Sequence, residues 1–400
     1  MNTRKIFKYL FHRDHFIVTV SAFIQLLVLG FVAFNLDFLN PIAEALASFS
    51  ITDVFFDIQH SGETSETCDL VTLVDMTELH NRGDIALLLE NIKQENPLCI
   101  GVDLIFEGEK DDRIGNELLE DTVAGMTEQT VFSRKLTDYD SRQGTFTNDV
   151  RSYFADRIDI TEAYTNLNDN MAGATIRNFS IAQTLHGEQV LSFPAKIASF
   201  FDETVSCRDD EDLLINYRNV TFPIVAYNEI EEKRDLIEGH IVLVGTMTEE
   251  QDMHNTPLGK TAGLEVQAYS LLTLLEHKGI KSISPWMTWI IAFLICYLLE
   301  LSIDIVSQFV NKQKKSVFMV FIKESNIVAI VMLFLWITFV CWLMFVMFVK
   351  HNITLSGGII LGLMALVCEG RDLLKSVVKA IGAKYGKKKF VLNSILRDDD

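Results

Sequence analysis

The sequence predicts an α/β fold: an extracytoplasmic, mostly parallel sheet flanked by helices, attached to a four-helix membrane region with one span before the domain and three after. Three observations predict it. Charge-free apolar runs flank a long central segment. Strand-like and helix-like periods alternate inside that segment. Charge also divides sharply: residues 37–285 hold 18 Lys and Arg against 45 Asp and Glu, a net −27, while the other 17 basic and 9 acidic residues leave the remainder at +8 within an overall −19. A phosphate backbone needs a positive footprint, so the acidic middle excludes a nucleic-acid partner.

After a cytoplasmic N-terminus at 1–15, the first expected span, 16–36, contains FIVTVSAFIQLLVLGFVAF from Phe16 to Phe34, without charge or proline. At 1.5 Å per residue this run approaches the roughly 30 Å of a hydrocarbon core. It exceeds the about 7–15 residues of a signal-peptide apolar region and no small-residue cleavage site follows, so an uncleaved anchor is expected. The second span, 286–305, carries Glu300 and Asp304 one turn apart near its expected cytoplasmic end. A membrane carboxylate is a functional candidate, with snorkelling to the interface the simpler account. The third span, 327–349, contains Trp336 and Trp342, and the fourth, 353–369, is short and glycine-rich. Its Gly358 and Gly362 have the spacing of a close helix contact, or reflect the frequency of glycine in spans.

Basic residues orient these spans. Arg4, Lys5, Lys8 and Arg13 precede the first, Lys312, Lys314, Lys315 and Lys323 lie in the loop 306–326, and seven basic residues from Arg371 to Lys389 lie in the tail 370–400. Lys350 is alone in the short outer loop 350–352. The bias places both termini in the cytoplasm and 37–285 outside. The loop and tail then offer a cationic surface to anionic lipid headgroups.

Within the outer segment, Ala43–Phe56 reads as an amphipathic lead-in. The apolar run Asp69–Met76 is a strand, Ile85–Asn96 a helix by its Ile85, Leu88, Leu89, Ile92 spacing, and Leu98–Phe106 a second strand. Strand, helix and strand with short links open a parallel sheet. Asp111–Gly125 is a helix with acids in its first turn, and Gln129–Ser133 a further strand. Residues 133–160 have weak periodicity and are expected to hold an exposed insertion. Strands follow at 173–181, 212–219 and, after the stretch 222–230 that leads to it, 240–247, with a helix at 192–201 and a four-turn helix at 264–279 closed by Gly279.

Three strand ends run into polar residues: Asp75, Asp103 with Glu107, and Thr246 with Asp252. In open α/β sheets ligands bind beyond the carboxyl ends of strands, so these five are the candidate ligand-binding residues. Convergent carboxylates suit a divalent cation or a cationic solute, or split their pKa values for acid/base work. A turn at each strand end is the ordinary alternative. No HExxH, CxxC, phosphate loop or nucleophile elbow occurs, so no catalytic residue is assigned, and no cofactor beyond that divalent cation. Cys296, Cys341 and Cys368 lie in apolar runs. Of Cys68, Cys99 and Cys207, Cys99 sits in an apolar strand, which favours a Cys68–Cys207 disulfide.

VTLVDMTE, CIGVDLIFEGEKDDRIGNELL, LLINYRN and GHIVLVGTMTEEQDMHNTPLGKTAGLEVQAYSLLTLLEHKGI resemble, in order, the CHASE2 family over about Val54–Pro285, most specifically in the last forty residues. After Asp75 the short MTELHNRGD departs from the family's longer acidic and serine-containing run. The resemblance implies an extracytoplasmic sensory domain in a bacterial inner membrane, facing the periplasm. Family members often continue into a kinase or cyclase domain, whereas about 30 residues follow Gly370 here. A sensor relaying its signal to a separate membrane or cytoplasmic protein is therefore expected, alone or as a homo-oligomer, with an envelope scaffold and, less favoured, an ectoenzyme as alternatives.

Overall fold

The computed structural model describes residues 12–34, 51–62, 64–167, 175–207, 212–276, 279–312, 327–355 and 357–385. The chain forms two compact units: Thr52–Lys281, built on a sheet, and Met1–Ile51 with Ser282–Asp400, built of helices.

Helix α1 (Arg13–Phe34) belongs to the helical unit, and α2 (Ile51–Gly62) enters the sheet unit. The part of the amphipathic lead-in before Ile51 lies outside the described residues. Strand β1 (Val71–Asp75) is buried up to its last residue, as an interior strand of a parallel sheet must be. Its one interior polar side chain, Thr72, is accommodated because its hydroxyl donates to the Leu236 carbonyl at 2.6 Å. Asn81 caps α3 (Arg82–Gln94) by accepting from the Asp84 amide, and Ile85, Leu88, Leu89 and Ile92 turn inward as their spacing predicts. After β2 (Cys99–Val102), Asp112 caps α4 (Arg113–Ala124) through the Gly115 amide at 3.1 Å.

Strand β3 (Thr130–Asp140) is twice as long as its apolar signal and turns back into β4 (Thr145–Val150) as an antiparallel hairpin. The expected insertion at 133–160 is thereby corrected. The outer half of β3 is largely exposed, so it lacks the apolar run that marks a buried strand. Strand β5 (Thr161–Tyr164) pairs parallel with β3; β6 (Ala182–Leu185) and β7 (Glu188–Leu191) form a second hairpin, turned at His186 and Gly187, both at positive φ. Then come α5 (Phe193–Ser199), β8 (Ile224–Ala226), β9 (Ile241–Gly245), the hairpin of β10 (Met253–Thr256) and β11 (Gly259–Ala262), and α6 (Gly263–Leu275).

The main sheet runs β8-β1-β9-β2-β3-β4-β6-β7, with β5 also on β3. Strands β8, β1, β9, β2, β3 and β5 are mutually parallel. Alternation along β2 explains why helices cover both faces: Ile100 and Val102 join the core with Leu89, Ile92, Leu119, Val123 and Phe132, while Gly101 faces Phe193 and Ile197 of α5.

The helical unit adds α7 (Pro285–Lys312), α8 (Ile327–His351) and α9 (Gly357–Tyr385). The four-span expectation is corrected here. Among the described residues two helices are long and apolar enough to cross a membrane, Pro285–Val310 and Ile327–His351. The apolar part of α1, His15–Leu29, is 15 residues long and reaches only about 22 Å. Helix α9 is long, but from its fourth turn onward Glu369, Arg371, Asp372 and Lys375 end its apolar start.

Candidate functional site

The carboxyl ends of β1, β9 and β2 are adjacent. Met76 N donates to Gly245 O at 3.0 Å, Asp103 N to Val244 O at 2.8 Å, and Met247 N to Thr77 Oγ1 at 3.0 Å. Asp75, however, is occupied locally: its Oδ1 accepts from the amide and hydroxyl of Thr77 at 2.9 and 2.5 Å, closing a turn. The acids after β2 are likewise a surface. Residues 107–113 are exposed, and the loop they form is held from beneath by Arg82, which is 2% exposed. Its guanidinium donates to the carbonyls of Glu107 and Gly108 and to Asn116 Oδ1, and lies 4.4 Å from the centre of the Tyr153 ring.

A cavity of about 430 Å³ opens beside these ends, lined notably by Asp103, Lys135, Asn166, Asp252, His254 and Gln267. Asp103 reaches it from the end of β2. Ser133 of β3 donates to its Oδ1 at 2.9 Å. Burial pushes the Asp103 carboxyl up to about 7, and Asp252 adds to this, while the Ser133 hydrogen bond and His254 oppose it. Asp252 stands against the first residue of α6: a Cβ on Gly263 would lie 2.5 Å from Asp252 Oδ1, so only glycine permits this approach. Ala262, the residue capping α6, offers no side-chain acceptor, which leaves the positive end of the helix facing that carboxylate. His254 Nε2 is 3.5 Å from the same oxygen.

The remaining wall is pinned by its own hydrogen bonds. Gln267 Nε2 donates to Thr165 O at 3.1 Å, and Asn166 exchanges two 2.8 Å hydrogen bonds with the Leu136 backbone. Among the described residues no group of three or more His, Cys, Asp and Glu side chains is arranged to hold a metal ion. The geometry suits a small polar organic ligand: the volume is in the range of small-molecule pockets, and charged groups of both signs converge on it.

Of the five candidate residues, Asp103 and Asp252 line the cavity, whereas Asp75, Glu107 and Thr246 do not. Lys135, Asn166, His254 and Gln267 escape sequence reasoning because they come from other strands and helices.

Other candidates are placed as follows. Cys68 is a buried free thiol and the side chain of Cys207 lies outside the described residues, while burial pushes the Cys99 thiol up to about 12. Glu300 and Asp304 are fully enclosed within the helical unit rather than snorkelling. Arg371 stands 3.8 Å from Glu300 and 3.3 Å from Asp304, and His15 3.9 Å from Glu300. Among the described residues neither Gly358 nor Gly362 meets another helix, and a close approach is found at Gly370, where a Cβ would meet Ser21 Oγ of α1 at 2.6 Å.

No curated protein and no solved structure matches this chain. The family model described as the CHASE2 domain matches residues 23–302, 280 of the 400 residues. That span takes in the parallel sheet, the cavity and most of the first membrane-crossing helix, and the chain belongs to the CHASE2 family: a membrane protein with an extracytoplasmic sensory domain and at least two membrane-spanning helices.

Proposed function

We propose that the sheet domain reads an external small-molecule cue in the Asp103–Asp252 cavity and that the chain passes the change to a separate protein. The observation that carries this reading is the position of α6. Its first turns wall the cavity at Gly263 and Gln267, and the chain leaving its other end continues into α7. Along the way Tyr269 of α6 packs at 5.2 Å against Tyr217, which stacks edge-on with Phe56 of α2 at 5.9 Å. Movement at the cavity therefore has an aromatic path to both helices by which the chain enters and leaves the domain. The 306–326 loop, between the two membrane-crossing helices and rich in lysine, is read as cytoplasmic from its charge, which makes that loop the surface for the partner.

The test is crosslinking in intact cells, followed by purification of the full chain as wild type and as Asp103→Asn. A sensor yields a specific partner whose recovery changes at least threefold in the variant at equal expression. Equal recovery of the same partner supports a scaffold, and recovery of the chain alone overturns relay signalling.

A further inference from the structure

The cavity joins two ends of opposite charge. At one end Asp103 and Asp252 face each other across the start of α6, with His254 beside Asp252. At the other end Lys135 lines the wall, and among the described residues its ammonium makes no ion pair or hydrogen bond. The separation follows from the strand register. Ser133 donates to Asp103, and Lys135 lies two residues further along β3 on the same face, about 7 Å away.

Resting on the reading of this cavity as the sensory site, we propose that its ligand is a small zwitterion of the α-amino-acid type. The ligand's ammonium lies between Asp103 and Asp252 and its carboxylate on Lys135.

Single-charge ligands fit less well. A plain amine leaves Lys135 without a counter-charge and meets its repulsion. A plain carboxylate meets two acids at the far end. For a metal ion, Asp103, Asp252 and His254 are all at hand, but among the described residues no three such groups are arranged to hold one. The wall formed by Asn166 and Gln267 is already committed to backbone partners, so it shapes the site rather than reorganising around an occupant.

Binding is coupled to one proton. Near neutral pH the Asp103 carboxyl is close to half protonated, and an arriving ammonium favours its ionised form. In the protonated fraction the proton leaves for solvent as the ammonium binds, and there the site gains one negative charge to match the ligand. The other charged groups around Asp103 are Asp252 just before β10, His254 within β10, and Lys135 on β3; α6 presents Gly263 and Gln267 there.

The experiment uses the full chain in detergent micelles. Thermal shifts are measured with each of the twenty L-α-amino acids, then with the amine and the acid that correspond to the best of them. The expected result is a saturable upward shift for at least one amino acid, with its amine and acid at least tenfold weaker. Lys135 is exposed, so Lys135→Met folds; it should weaken the amino acid at least tenfold and bring the amine level with it. Calorimetry near pH 7 in two buffers of different ionisation heat should show proton release in wild type and none in Asp103→Asn. An amine that binds as well as the amino acid, or an unchanged affinity in Lys135→Met, overturns the zwitterion and leaves the cavity reading intact. No shift with any amino acid, amine or acid also overturns it; if Asp103→Asn then still alters partner recovery, the sensor reading survives alone.

Discussion

Asp103 shows how one carboxyl can be both a strand terminus and a chemical group. In the unfolded chain it titrates near 3.8, and in the fold burial and Asp252 raise it to about 7. An acid raised in this way binds its proton more tightly when folded. Its contribution to stability is complete below the unfolded value and is lost as pH rises through the folded one. The domain should therefore lose stability between about pH 4 and 7, by roughly 2–4 kcal/mol, with cavity water favouring the lower figure. Asp103→Asn cannot ionise, so the difference between wild-type and variant melting temperatures should change steadily across that window. Parallel profiles would contradict the burial argument. Sequence singled out Asp103 as an acid directly after an apolar strand, a position where a turn is the ordinary alternative. It could not separate Asp103 from Asp75 or Glu107: a two-residue turn consumes Asp75, and the Glu107 side chain turns outward while Arg82 holds the backbone carbonyl. That buried arginine, 25 residues upstream, carried no local signal.

Elements were legible where burial is uniform and obscure where it alternates. β1, α3, β2, α4, β9 and α6 follow their apolar periods within a few residues, because interior parallel strands and amphipathic helices impose strong patterns. The outer half of β3 and its hairpin with β4 were hidden by their exposure, and with them Lys135. Strand order was also out of reach, since β9, last in sequence among the core strands, inserts between β1 and β2. One glycine shows how tightly the elements then close. At Gly101 a Cβ would stand 2.7 Å from Phe193, 2.8 Å from Ile197 and 2.8 Å from Leu243. The backbone there is ordinary β, so the constraint is space alone. Gly101→Ala must push α5 off the sheet and should cost about 1–3 kcal/mol. Trimming Ile197 to Val in the same chain should recover part of that loss, measured as the denaturant midpoint. A double variant no better than Gly101→Ala alone would show that α5 is not the element displaced.

At the scale of the molecule the chain contains a second polar centre that its apolar sequence conceals. Glu300 and Asp304 of α7 and Arg371 of α9 are each less than 10% exposed, so their charges are balanced by one another rather than by water. Among the described residues neither oxygen of Glu300 accepts a hydrogen bond, and the long-range attraction of Arg371 at 3.8 Å is its counterweight. Asp304 is better served, accepting from Arg371 and from Gln308. Attraction of this kind offsets burial only while both signs are present. Arg371→Leu removes one sign, so the two carboxylates should destabilise the helical unit by about 3–5 kcal/mol. Leu at 371 combined with Glu300→Gln and Asp304→Asn removes both signs and should recover most of that loss, a non-additivity expected of groups in one network. Local readout is available because Cys296 of α7 is fully buried. Its labelling by a thiol reagent should accelerate in Arg371→Leu and return toward the wild-type rate in the triple variant, while Cys99 in the sheet stays protected in both. Equal acceleration in the two variants would mean that Arg371 acts through its packing volume rather than its charge.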